Sequence, residues 1–333
     1  MLAFATRTWD GWDYIPHAWP VWLEASDGVL LVACAGSAAN GGQSVDADGE
    51  PLADGQPIAI SRVALLSPTE GWVEGIRVDP RVRGMGVATD LQTAELHWLA
   101  SHEAAVTRYA TGARNEGSHR LGARHGFEPL ASYRTCRWID PGQPTDARDE
   151  SNGFDEPARL DAIRRRKALL VRLRGDGVTI DAPAAASWWR RLDTDRAFNS
   201  AGRLYELRSW AQQELTQPRF ERHAADSEVV IREDDAGWAL AIVSADAQPA
   251  EDVMIHLALA GQIQRAAAER MRFRVEQGST PDDFEALLSA AGFDAWPWEL
   301  HILSRPGNLP PPGIDPRRLV MEEQPRSLIR PPA

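Results

Sequence analysis

Val78-Asp79-Pro80-Arg81-Val82-Arg83-Gly84-Met85-Gly86-Val87-Ala88 joins an apolar, strand-forming segment to an amphipathic one. Upstream, residues 72–78 are rich in strand formers, and Asp79-Pro80 ends them because proline cannot donate to a ladder. Downstream, Leu91, Ala94, Leu96, Trp98 and Leu99 predict a helix over 87–103. A glycine-bearing loop between strand and helix lets the backbone approach an anion. The first-turn N–H groups and the helix macrodipole then attract it, and Arg83 adds a charge-assisted donor. The stretch therefore predicts a phosphate cradle. It is not a P-loop, since no Gly-Lys-Ser/Thr follows, nor a dinucleotide fingerprint, since Thr89 stands where a third glycine belongs.

Working outward, residues 8–25 carry Trp9, Trp12, Trp19 and Trp22 around Tyr14, Pro16 and Pro20 and read as a helical hairpin or loop. Strands are predicted at 29–35, 58–66, 72–78, 106–111 and 127–139, with a short helix at 118–125. The Gly/Asp-rich stretch 36–55 reads as a mobile surface loop. Residues 141–157 are polar, acidic and rich in turn formers, which suits a linker. Beyond it, helices are predicted at 188–213, 262–271 and 284–291 and strands at 228–232, 238–245, 252–259, 272–275 and 293–303. The two halves thus share an order of elements. Leu121-Gly122-Ala123-Arg124-His125-Gly126-Phe127 is echoed by Leu287-Leu288-Ser289-Ala290-Ala291-Gly292-Phe293, and a repeat of this size suggests duplication. The boundaries read as a first domain over 1–140, a linker over 141–157, a second, degenerate domain over 158–305 and a proline-rich, extended tail over 306–333.

A chain of 333 residues suits two domains, and its 43% hydrophobic and 25% charged residues are ordinary for a globular protein. No apolar run is long enough to span a membrane and no signal peptide is visible, so a cytoplasmic location is expected. A net charge of −12 argues against nucleic acid and is compatible with a cationic acceptor. Arg164-Arg165-Arg166-Lys167, with the chain's sole lysine, reads as the solvated face of an amphipathic segment. Cys34 and Cys136 lie in apolar runs and are expected to be buried, inert thiols, with no disulfide framework and no metal site.

Arg83-Gly84-Met85-Gly86-Val87-Ala88 resembles the Arg/Gln-x-x-Gly-x-Gly/Ala signature of the GNAT superfamily (GCN5-related N-acetyltransferases). Asn115-x-x-Ser118-x-x-Leu121, ending in Gly126-Phe127, resembles that superfamily's second motif. Within it, residues 74–88 and the Asp13-Tyr14-Ile15-Pro16 opening are similar to the tandem-domain branch containing the histidine N-acetyltransferase. The resemblance implies a GNAT fold, an α+β/α/β arrangement with a mixed, mostly antiparallel central sheet flanked by helices, here duplicated with a degenerate second copy. It implies acetyl-CoA as co-substrate, with no metal. The pantetheine arm would lie in a splay between two parallel strands on backbone groups of Ile76, Arg77 and Val78, with the pyrophosphate on Arg83, Gly84, Met85, Gly86, Val87 and Ala88.

The implied reaction is acyl transfer to a primary amine of a small molecule, such as an amino acid. The alternatives are a protein N-acetyltransferase and a non-catalytic acyl-CoA sensor. No nucleic acid or membrane partner is expected, and the chain would be a monomer or homodimer. Glu74 is the candidate general base, a strand carboxylate in a partly apolar cleft; the alternative is a structural pair with Arg62 or Arg77. The Val78 N–H is the implied oxyanion donor. Asn115 either contacts pantetheine or a site water or serves a helix N-terminus. Many superfamily members place a sulfur-protonating tyrosine just after the motif leucine, where this chain has Gly122; Tyr133 or Tyr14 could stand in for it. The second half lacks the phosphate loop, since Ala260-Gly261-Gln262 follows its corresponding strand. Tyr14, His17, Trp19 and Trp22 either wall an acceptor pocket or belong to the core.

Overall fold

The computed structural model describes residues 3–6, 8, 13–36, 44–138, 177–180, 182–194, 198–199, 202–208, 211–234, 237–244, 254–258, 263–267, 270–274 and 293–314. The predicted linker 141–157, the basic run 164–167, Trp9, Trp12, the helix 284–291 and Ala260-Gly261-Gln262 lie outside them. The chain divides into two compact units. Unit 1 comprises 1–107, 124–126 and 306–333; unit 2 comprises 108–123 and 127–305.

Unit 1 begins with helix α1 (Ile15–Glu24), which opens at Asp13, whose carboxylate accepts from Ile15 N–H at 3.0 Å. Strands β1 (Gly28–Cys34), β2 (Pro57–Ser67) and β3 (Glu70–Val78) form an antiparallel meander. Pro68 and Thr69 close the β2–β3 hairpin, and Ser67 Oγ–H donates to Glu70 Oε2 at 2.8 Å. Helix α2 (Val87–Ser101) packs on all three strands and buries Leu91, Ala94, Leu96 and Leu99. Burying a leucine fully is worth about 1.5–3 kcal/mol, so this face holds the helix to the sheet. On α1, Ile15 and Trp22 join Ala5 and Ile60 in a buried cluster.

Ser44–Gly55 is folded, contrary to the mobile loop expected there. Asp46 Oδ1 accepts from the N–H groups of Asp48 and Glu50, and Ala47 N–H donates to the Arg81 carbonyl at 2.8 Å. Leu52 packs with Ala35 and Val82. Cys34 is exposed, which corrects the expectation of a buried thiol, because the last residue of β1 follows the sheet's edge rather than its core. After unit 2 the chain returns. Gly307 N–H donates to the Ala105 carbonyl at 2.8 Å, and His97 Nε2 lies 2.8 Å from the Pro312 carbonyl oxygen.

In unit 2, residues 108–112 of β4 (Val106–Gly112) neighbour β14 (Phe293–Pro306), which pairs antiparallel with β5 (Glu128–Trp138). β13 (Arg270–Arg274) and β12 (Ile263–Ala267) extend the order beyond β5. Helix α3 (Glu116–Arg124) precedes β5. A second sheet has the order β11 (Met254–Ala258), β10 (Gly237–Ser244), β9 (Ser227–Asp234), β6 (Gly177–Ile180), all antiparallel. Helices α4 (Ala182–Asp193) and α5 (Gln217–Asp226) enclose a core of Trp189, Leu192, Phe198, Leu215 and Phe220, with the hairpin β7 (Leu204–Arg208) and β8 (Ala211–Glu214) between them in sequence.

Two predicted helices fail here. Among the described residues the segment 188–213 holds the end of α4, a helical pair at 198–199 and then the β7–β8 hairpin, and Arg203 N–H donates to the Phe198 carbonyl at 2.9 Å. The segment 262–271 forms β12 and the start of β13, whose Met271 is opposite Cys136 of β5. The predicted echo of element order is therefore not reproduced in this part of the chain. Among the described residues no helix is long and apolar enough to cross a membrane.

Candidate acyl-CoA site

The site is built where β3 runs into α2. Asp79 caps the 3-10 turn Pro80–Val82 by accepting from Arg81 N–H at 3.0 Å and from Arg81 Nη2 at 2.7 Å. The Arg81 side chain and N–H hold the Asp79 carboxyl below its usual range even though burial opposes this, and the Arg83 charge contributes. Arg81 is thus spent on the turn, whereas Arg83 is exposed. Gly84 and Gly86 adopt φ of +80° and +89°, a region that non-glycine residues enter only at a cost. A Cβ on Gly84 would meet nothing within 4 Å, so the loop's surface is open to an approaching group. Gly86 is the N-cap of α2 and supplies no side-chain cap. The first-turn N–H groups, from Val87 onward, therefore lack intrahelical acceptors and face past the helix end. Met85 is 41% exposed beside them. Open N–H groups at a helix N-terminus are a donor set that suits an anion.

The strand leading into the cradle is bulged. Arg62 is opposite Glu74 and Ile60 is opposite Arg77, so Gly75 and Ile76 together face the single residue Ser61. Gly75 makes this possible with φ of +74°, and its bare Cα receives the Trp22 ring of α1. Sequence reasoning missed this bulge; Gly75 within an otherwise strand-like run was its only signal.

Two ion-pair systems, each centred on a buried arginine, flank the bulge. Glu74, 16% exposed, accepts from Arg62 Nη1, while Arg62 Nη2 donates to Asp27 Oδ1. The Arg62 guanidinium lies 5.8 Å from the Trp22 ring centroid. Arg77 grips Asp13 bidentately, Nε to Oδ2 at 2.7 Å and Nη2 to Oδ1 at 2.9 Å, and lies 5.0 Å from the Tyr14 ring centroid. Burial alone would raise the Asp13 carboxyl, but the Arg77 guanidinium holds it below its usual value. Burial pushes the Tyr14 hydroxyl up to about 12 against the opposing pull of Arg77, with the charges of Glu74 and Asp13 adding to the rise. The Arg77 side chain is therefore a strut between β3 and the α1 entry, and Trp22 belongs to the core. His17 is exposed and Trp19 packs at the cluster's margin.

Glu74, Ile76, Arg77, Val78 and Arg83–Ala88 thus lie contiguously in unit 1. Asn115 and Tyr133 belong to unit 2. There Asn115 Oδ1 accepts from Ser118 N–H at 3.3 Å and Nδ2 donates to Thr111 Oγ1 at 3.1 Å, the contacts of a residue that starts α3. Tyr133 is opposite Leu300 of β14 and Arg274 of β13. At Gly122, a Cβ would lie 2.1 Å from the Tyr109 hydroxyl, which donates to the Ser118 carbonyl at 3.0 Å. Tyr109 thus occupies the space that a side chain at position 122 would need. Among the described residues no group of three or more His, Cys, Asp or Glu side chains is placed to hold a metal.

Residues 9–127 match the model of the Acetyltransferase (GNAT) family. Comparison with curated proteins finds no match. Among solved structures, Ard1 from Thermoplasma volcanium is 26% identical over 23% of this chain and 53% of its own, with a TM-score of 0.23. A GNAT family acetyltransferase from Elizabethkingia anophelis with acetyl-CoA bound is 13% identical over 35% of this chain and 63% of its own, with a TM-score of 0.27. The ribosomal-protein-S18-alanine N-acetyltransferase from Escherichia coli is 15% identical over 38% and 68%, with a TM-score of 0.28. This chain therefore spans between half and two thirds of the length of the first two. Over residues 9–127 this chain is therefore similar to the Acetyltransferase (GNAT) family.

Proposed function

We propose that this chain is an acetyl-CoA-dependent N-acetyltransferase that acts on a primary amine of a small molecule, such as an amino acid. The observation that carries this reading is the cradle at Arg83–Ala88: two glycines at positive φ and a helix that begins without a side-chain cap, directly beyond a bulged strand. Such a site takes a pyrophosphate through backbone N–H groups, and Arg83 supplies a charge-assisted contact. Backbone groups of Ile76, Arg77 and Val78 would carry the pantetheine arm, and Asn115 would reach it or a site water.

Acetyl-CoA supplies the activated acyl thioester. The amine nitrogen bonds to the acyl carbon, the C–S bond breaks, and the amine's proton passes to Glu74 and on to solvent. Arg62 orients the Glu74 carboxylate for this task. The leaving sulfur departs as thiolate or takes a proton from Tyr133 or Tyr14. The 306–333 tail, the catalytic segment 1–140 and a decayed second copy over 158–305 remain part of the reading, the last resting on the echo of residues 121–127 at 287–293. The chain would work in the cytoplasm as monomer or homodimer.

A second reading, a non-catalytic acyl-CoA sensor, draws support from the Glu74–Arg62 pair and from Gly122. One experiment separates them. Thiol release from acetyl-CoA is followed against amino acids, polyamines, aminoglycosides and peptides, with calorimetric acetyl-CoA binding in parallel. The enzyme reading expects about one binding site per chain and amine-dependent release, both abolished by Arg83→Glu. Binding without release for any amine leaves the sensor, and binding unaffected by Arg83→Glu removes the cradle from both readings.

A further inference from the structure

Behind the bulge, where β2 packs on α2, three polar side chains enter the core with oxygen atoms that no hydrogen bond of normal geometry satisfies. Glu95 is 0% exposed, and neither carboxyl oxygen makes a hydrogen bond. Ser61, also 0% exposed, is the β2 side chain that faces this carboxyl, yet its Oγ makes no direct hydrogen bond of normal geometry. Gln92 lies one helical turn before Glu95 on the same side of α2, is 2% exposed, and leaves its Oε1 unpartnered. A buried polar atom without a hydrogen bond forfeits its hydration for nothing, and native folds tolerate few of them. Here four gather at one interface, next to the point where the β2–β3 ladder is broken by an extra residue.

Neither a packing nor an ion-pair role accounts for the group. Apolar side chains would fill the interface better, and among the described residues of α2, β1, β2 and β3 no guanidinium is available to Glu95. On β2, Arg62 is engaged by Glu74 and Asp27; on β3, Arg77 is engaged by Asp13, while Glu70 and Glu74 are themselves acidic. β1, which also packs on α2, carries no Asp, Glu, Lys, Arg or His; Asp90 is the other acid near this part of α2, and the buried His125, whose Nε2 lies 3.2 Å from Thr93 Oγ1 of α2, is the other titratable group beside it.

We propose that the α2–β2 interface is a binding site for enclosed water, bounded by Glu95, Ser61 and Gln92. Water is the ligand that fits, because it both donates and accepts and typically makes about three hydrogen bonds to groups of this kind when buried. One water bridges Ser61 Oγ and a Glu95 oxygen, and Gln92 Oε1 accepts from it or from a second. Glu95 enters the site as the neutral acid, so that it too can donate. Burial raises its carboxyl well above the usual range, Ser61 opposes the rise, and the Glu74 charge adds to it. The site braces β2 from behind at the residue opposite the bulge, and it stands whether or not the chain transfers acyl groups.

The test uses the full chain, in wild type, Glu95→Gln and Ser61→Ala. A crystal structure resolving solvent is expected to show ordered water within hydrogen-bonding distance of Glu95 and Ser61, kept in Glu95→Gln and lost or displaced in Ser61→Ala. Stability is then followed from about pH 4.5 to 8. Below the ordinary glutamate value of 4.5 the acid is protonated folded and unfolded alike. Above it, unfolding releases a proton that the fold retains, so wild-type stability falls as pH rises towards the folded-state pKa. Glu95→Gln has no such proton. Its unfolding equilibrium constant should therefore improve on wild type by up to tenfold per pH unit in that window. Ser61→Ala should keep the wild-type pH slope, which preserves the test if Glu95→Gln does not fold. A dry interface in the wild type, or parallel pH curves for wild type and Glu95→Gln, overturns the proposal.

Discussion

Replacing Gly75 by alanine tests the bulge of β3 and the seating of α1 upon it. Two costs add. A non-glycine residue held at φ of +74° loses about 1–2 kcal/mol. The new methyl would also lie 2.5 Å from Cη2 and 3.0 Å from Cζ3 of Trp22, and 3.3 Å from Cδ1 of Ile15. Overpacking of this kind costs about 1–3 kcal/mol. The indole cannot step aside freely, since it is buried and stacked against the Arg62 guanidinium. The expected loss is therefore about 2–5 kcal/mol, read as a drop in the urea midpoint at unchanged m by far-ultraviolet circular dichroism. Trp22→Ala alone should cost about 3–5 kcal/mol through the cavity it leaves. In that background Gly75→Ala should cost only its backbone share of about 1–2 kcal/mol, because its main obstacle is gone. If Gly75→Ala lies within about 0.5 kcal/mol of wild type, the positive φ is not a feature of the fold. If its cost is undiminished without Trp22, α1 does not rest on the bulge.

Other outcomes follow from the same geometry. Glu74→Gln keeps the shape of the proposed base and should lower kcat by about 10²–10⁴-fold, with partial rescue as rising pH deprotonates the amine; wild-type turnover at neutral pH would take Glu74 out of the mechanism. Asp13→Asn leaves the Arg77 charge buried with half its partner, at a cost of about 3–5 kcal/mol at neutral pH. Because Asp13 titrates lower in the fold than its ordinary 3.8, the wild-type advantage should hold above that pH and vanish as pH falls through the folded value; a constant difference down to strong acid would refute the pairing. Gly122→Ala drives a methyl to 2.1 Å from the Tyr109 hydroxyl and should cost about 1–3 kcal/mol, largely recovered in Tyr109→Phe/Gly122→Ala. A double variant no better than Gly122→Ala would place the clash elsewhere.

Among the described residues up to 138, the main helices and strands were legible, although the folded stretch Ser44–Gly55 was not. The helix at 87–103 and the strands at 58–66, 72–78 and 106–111 lie within two residues of α2, β2, β3 and β4. Apolar periodicity is a local property, and Asp79-Pro80 and Gly86 punctuate it by steric rules that need no partner. The reading weakened where a segment's conformation is decided by what it pairs with. Ile263, Ala266 and Ala267 sit among good helix formers, yet 263–267 and 270–274 join a ladder that ends on β5. Intrinsic propensity is worth tenths of a kcal/mol per residue and yields to such pairing.

The site divides in the same way. Sequence alone determined the strand–turn–helix at 78–88 on which the proposed phosphate cradle rests, because glycine spacing, the strand-ending proline and the helix behind it act over a dozen contiguous residues. It named Glu74 but left its partner open between Arg62 and Arg77. Only the tertiary structure decided for Arg62, because strand register places residues twelve apart in sequence opposite each other, and gave Arg77 to Asp13, sixty-four positions away. The bulge at Gly75, the tyrosine filling the space at Gly122 and the unpartnered acid at Glu95 also belong to the fold. Each depends on a volume or a missing hydrogen bond shared between distant segments, and no window of sequence contains both sides of such a contact.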